Sequence, residues 1–154
     1  MNANFRIHPG GFGLHIVALG RWWRMDCFST FVGLKTDIRQ RSAELMFTYF
    51  DWRLKGYEET IAQSLAFRFE DVNHFEFLPG DPQSETYECI STFGISSISA
   101  DDDLRLYWKN GSYPGDGRLR WADLDDHHLV WGFENDAMLR IGASAVILSV
   151  TDQV

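Results

Sequence analysis

The residues best equipped for chemistry lie between Asp101 and His128. Asp101, Asp102 and Asp103 open this stretch, and Asp123, Asp125 and Asp126 close it just before His127 and His128. Clustered carboxylate oxygens suit a hard cation such as calcium, and an imidazole beside them adds a nitrogen ligand or an acid–base group. Asp101, Asp103, Asp123, Asp125 and His127 are therefore the candidate metal ligands, and His127 or His128 the candidate acid–base group. On a strand two adjacent histidines diverge, so a single site uses only one of them. The EF-hand spacing, the HExxH helix, the Walker loop, the GxSxG elbow and paired CxxC motifs are all absent. Turn segments are routinely Asp-rich, so solvated strand ends are the simpler reading of these aspartates. His74 has no partner at ligand spacing and reads as a strand or surface residue.

What positions the two acidic runs is a predicted β-hairpin over residues 104–121. Leu104, Leu106 and Trp108 alternate with Arg105, Tyr107 and Lys109, and Leu119 and Trp121 with Arg118 and Arg120. Period-two alternation marks strands with one buried face. The loop NGSYPGDG, with Pro114 and two Xaa-Gly turn signals, sets Lys109 opposite Arg118 and Trp108 opposite Leu119. A one-residue slip would place apolar against charged side chains, so this register is the favoured one. The other face then collects Arg105, Tyr107, Lys109, Arg118 and Arg120. Like charges facing each other across strands repel, so the face calls for an anion. An acid of the same chain, such as Glu134 or Glu70, or an anionic ligand or partner would supply it. Four cations against one acid give this stretch +3, and the rest of the chain carries −11.

A chain of 154 residues reads as one domain, 1–154, with a hydrophobic content of 45% that excludes a disordered polymer. A net charge of −8 argues against general nucleic-acid binding, which depends on neutralising phosphates. It favours a basic partner. Cys27 and Cys89, with no CxxC, read as buried inert thiols. The N-terminus lacks the apolar core of a signal peptide, and no run approaches the length of a membrane span. A soluble cytoplasmic protein, without membrane association, is the resulting expectation.

Along the chain, Pro9, Gly10, Gly11 and Gly13 predict an irregular arm over residues 1–13. Trp22 and Trp23 should point oppositely on a strand, which puts one at the surface as an aromatic contact. Strands are expected over 27–34, 44–54, 65–69, 74–78 and 86–98. Asn73 reads as a break and 57–64 as a short helix or loop. Leu129, Trp131 and Phe133 form a further strand, Asn135-Asp136 a tight turn, and Gly142-Ala143-Ser144 a bulge in the return strand. The fold class is thus mainly β, a single-domain antiparallel sandwich or open barrel with at most one or two short helices.

The missing motifs favour a non-catalytic, protein-binding domain without a cofactor. By analogy of size and charge, an acidic immunity- or antitoxin-type protein masking a basic partner fits these features. A small-ligand or carbohydrate module is the alternative, with Tyr107, Trp22 or Trp23 stacking and the hairpin cations holding an anionic group. A metal-assisted hydrolase built on the 123–128 cluster is the third expectation.

Overall fold

The computed structural model describes residues 1–10, 13–25, 29–50, 63–83, 90–97 and 127–152. Among them are ten strands and no helix, arranged in two sheets, so the mainly-β expectation holds. The strands are β1 (Asn2–Ala3), β2 (Arg6–Gly10), β3 (Gly13–Ala18), β4 (Arg21–Arg24), β5 (Ser29–Asp37), β6 (Ser42–Tyr49), β7 (Gln63–Leu78), β8 (Ile90–Ser97), β9 (His127–Phe133) and β10 (Met138–Asp152). The small sheet runs β2-β3-β4 and the large one β5-β6-β7-β10-β9-β8. All these pairings are antiparallel, and β1 adds to β10 in parallel. The 104–121 hairpin, with Arg105, Tyr107, Lys109, Arg118 and Arg120, lies outside the described residues. So do Asp101, Asp103, Asp123, Asp125, Cys27 and Cys89.

The expectation of an irregular N-terminal arm is corrected at the described residues of 1–13. Residues 2–3 and 6–10 are strands, and Asn4 fastens the chain between them. Its side chain accepts from the Leu148 N–H at 2.8 Å and donates to the Leu148 carbonyl at 2.9 Å. Pro9 breaks no ladder because β2 is an edge strand, where a missing N–H is tolerated.

Hydrophobic alternation builds the centre of the large sheet. Ala43, Leu45, Phe47 and Tyr49 of β6 are buried, and the residues between them are half-buried. In register, Leu45 pairs with Phe67, Ala43 with Phe69 and Phe47 with Leu65, and Val146, Leu148 and Val150 of β10 continue those rows. An apolar surface three strands wide follows from side chains that point one way at every second residue. β6 is an interior strand, as its composition suggests, but only one of its faces is fully covered.

β7 and β10, with 16 and 15 residues, are each about 50 Å long at the usual rise. They bend midway. Asp71 takes a left-handed φ of 52°, and the register shifts between Gly142 and Ala143, which leaves Asn73 as the extra residue. The residue read as a break is thus a bulge in one continuous strand, and bulges turn corners in sheets. The bend folds the large sheet over on itself. Trp131 of β9 lies 5.6 Å from the Phe67 ring, 6.0 Å from Phe69 and 6.2 Å from Phe47. The small sheet closes another side. Trp23 packs edge-on against Tyr49 at 5.1 Å, and the Tyr49 hydroxyl accepts from the Arg24 N–H. One hydrophobic core joins both sheets, with Ile7, Ile16, Trp23, Phe67, Phe93 and Trp131 all buried in it.

Candidate functional site

Beyond Phe69, β7 outruns its neighbour β6, which begins at Ser42 opposite Asp37. Residues 73–78 of β7 therefore pair only with β10 among the described residues. Phe75 sits opposite Ile141 and Phe77 opposite Leu139, so both rings share the core-side face of the strand. With no described strand alongside, the rings stay 43% and 56% exposed. Across a gap, the edge strand β5 contributes Phe31 and Leu34. Phe133, Ala137 and Leu139 complete a groove of about 580 Å³ that Pro79, Gly80 and Pro82 close at one end. Among the described residues lining it, Asn135 is the only polar one and none is charged.

The closed end is held by backbone hydrogen bonds. The β9–β10 turn places Asp136 at φ 65°, with Asp136 N–H donating to the Phe133 carbonyl and Phe133 N–H to that of Ala137. This is the tight turn that Asn135-Asp136 predicts, and Asn and Asp tolerate the left-handed conformation. Asp81 N–H donates to the Asn135 carbonyl at 2.8 Å, which straps the proline segment to the turn. Gly80 permits the approach: a Cβ there would lie 2.5 Å from the Ala137 nitrogen and closer still to the Asn135 oxygen. Three exposed acids, Asp81, Glu134 and Asp136, stand around this end.

Behind the groove, the opposite face of the same strands carries a polar network. Arg140 and His128 are each only 5% exposed. The Arg140 Nε–H donates to His128 Nδ1 at 3.0 Å, so that imidazole is neutral with its proton on Nε2. The His74 ring stacks on His128 with centroids 4.5 Å apart and planes 16° from parallel. Glu76 bridges outward, 3.4 Å from His74 Nε2 and 3.8 Å from Arg140 Nη1. Gly142 makes room for this: a Cβ would stand 2.5 Å from His128 Nε2 and 2.8 Å from Asn73 Oδ1. Buried polar groups satisfied in this way fix a register, because a slipped strand would orphan each of them.

Of the residues singled out from sequence, Trp22 and Trp23 do point oppositely. Trp22 is 50% exposed, with the His15 ring edge-on at 5.5 Å. Trp23 is corrected as an aromatic contact: it is buried, donates its indole N–H to the Ala18 carbonyl and lies under the Arg21 guanidinium. His127 and His128 are consecutive on β9. Among the described residues no three His, Cys, Asp or Glu side chains gather closely enough to hold a metal ion. His74 is a strand residue, as the absence of a partner at ligand spacing predicts, and no spacing in the sequence signals its stacking on His128. Comparison with models of protein families, with curated proteins and with solved structures yields no match, so the site stands on its own geometry.

Proposed function

We propose that this chain is a non-catalytic, protein-binding domain that takes an apolar segment of its partner into the Phe75–Phe77 groove. The carrying observation is the pair of half-exposed phenylalanines over a groove with no charged residue in its described lining. Exposed aromatic rings in a preformed concavity are the usual anchors of protein recognition. No group in that lining is suited to acid–base or nucleophilic work. The outer edge of 73–78 supports an extended partner chain, whose backbone would add to β7 while alternate side chains enter the groove. Asp81, Glu134 and Asp136 favour basic residues flanking that segment, in keeping with the net charge of −8. The immunity- or antitoxin-type role is one process in which such masking of a basic partner would serve. The volume also suits a small apolar ligand, since such sites span roughly 300–1,000 Å³.

Selection from a displayed random-peptide library against the full chain tests the proposal. Recovered peptides should share aromatic or aliphatic residues at alternate positions with Lys or Arg beside them, and should lose affinity for Phe77→Ser. Recovery of no consensus, or of peptides indifferent to Phe77→Ser, would refute it.

A further inference from the structure

On the reading of the Phe75–Phe77 groove as a strand-binding site, on which this rests, we infer that the partner segment runs antiparallel to β7, with a lysine or arginine between its two buried side chains and further cations on its N-terminal side. The edge of β7 that bears the groove has two ends among the described residues. At one, the Val72 N–H donates to the Arg41 carbonyl at 2.7 Å and the Arg41 Nε–H to the Val72 carbonyl at 3.3 Å, so the turn before β6 occupies the edge up to that point. At the other, Pro79 has no N–H to offer, and Asp81 is strapped to the β9–β10 turn. The opening between them, residues 73–78, takes about six residues of extended chain, or about 20 Å. A segment filling it continues the line of β6. β7 is antiparallel to β6 and to β10, and antiparallel ladders are the more stable kind. Direction then sets polarity. β7 runs towards the proline end, so an antiparallel segment has its N-terminal side there, beside the exposed Asp81, Glu134 and Asp136.

Register sets the central residue. Directly opposed residues of antiparallel strands point to the same face. Side chains opposite Phe75 and Phe77 therefore enter the groove, and the one between them lies opposite Glu76 on the reverse face. Glu76 is 36% exposed, and its contacts with His74 Nε2 and Arg140 Nη1 both use Oε2. Its second oxygen, Oε1, is left to accept from an incoming cation. An acid in that place would face Glu76 across the ladder and be repelled. The required order is thus cations first, then apolar, cationic, apolar, and a segment of the reversed order does not satisfy it. An acidic segment meets carboxylates at each of these positions, and a small apolar ligand uses none of them.

Anisotropy titration of the full chain with labelled synthetic peptides, blocked at both ends, tests this. The forward peptide is Lys-Lys-Leu-Lys-Leu-Ser and the reversed one Ser-Leu-Lys-Leu-Lys-Lys. The forward peptide should bind about fivefold more tightly than the reversed one, the worth of one partly exposed charge pair. It should exceed by about as much a form with glutamate in place of the central lysine. Glu76→Gln should remove most of the second difference and leave the first, and both peptide comparisons on the parent chain decide the matter even if that variant does not fold. Equal binding of the forward and reversed peptides, or of the lysine and glutamate forms, would overturn the inference. So would a forward peptide that fails to bind a chain whose library-selected peptides still depend on Phe77, and in that case the groove itself stands. Library peptides indifferent to Phe77→Ser would remove the groove and this segment with it.

Discussion

Replacing Gly142 by alanine tests whether the polar network is built as described. The new methyl would stand 2.5 Å from His128 Nε2 and 2.8 Å from Asn73 Oδ1; exposed Asn73 can swing away, but His128 is buried and stacked on His74 and has no open space behind it. The ring must therefore move, and the Arg140 Nε–H···Nδ1 bond goes with it. Overpacking costs about 1–3 kcal/mol, and a lost hydrogen bond to a charged group about 1.5–3, so the expected total is about 3–5 kcal/mol. Against a stability of about 5–15 kcal/mol this is a large share. It should appear as a drop of about 10 °C in melting temperature, or a lower urea midpoint at unchanged slope. Gly33→Ala is the control. Its Cβ would meet only the flexible end of Met46, at 3.4 Å, and the change should stay within about 0.5 kcal/mol. Equal melting of the two variants would refute the placement of His128 against Gly142.

Two further outcomes follow from buried groups. The Trp131 indole nitrogen is the one buried side-chain polar atom without a hydrogen-bond partner among the described residues. Trp131→Phe removes that cost and keeps most ring packing, so urea unfolding should show a loss of about 1 kcal/mol or less, against about 3–5 for alanine. Nitrogen-15 spectra at neutral pH should show His128 as the Nε2-protonated tautomer, and an Nδ1-protonated ring would contradict the Arg140 bond.

The legible parts of the fold were those decided within one strand. Leu65, Phe67 and Phe69 announce their buried face by alternation, Trp22 and Trp23 must diverge wherever they form a strand, and Asn135-Asp136 is chemistry for a left-handed turn. Gly142-Ala143 stands at the register shift, but the extra residue is Asn73 across the pair, so the bulge lies in β7 and not in the return strand. What stayed hidden depends on neighbours. Pro9 reads as a breaker until β2 is known to be an edge. Phe75 and Phe77 read as ordinary strand residues until β6 is seen to stop short of them. His74, Glu76, His128 and Arg140 come from three strands whose register no spacing reveals. The half-exposed phenylalanines had one sequence signal, the HFEFL alternation after Asn73, which sets both rings on a single face. The cationic hairpin and the aspartate runs at its ends fall outside the described residues.

The groove itself is tested most directly by amide chemical-shift mapping with a peptide recovered from the library. Shifts should concentrate on residues 73–78 of β7, on Phe31 to Leu34 of β5 and on the 133–137 turn, and should vanish in Phe77→Ser. Shifts centred on the small sheet, or spread evenly with the phenylalanines unaffected, would contradict the account.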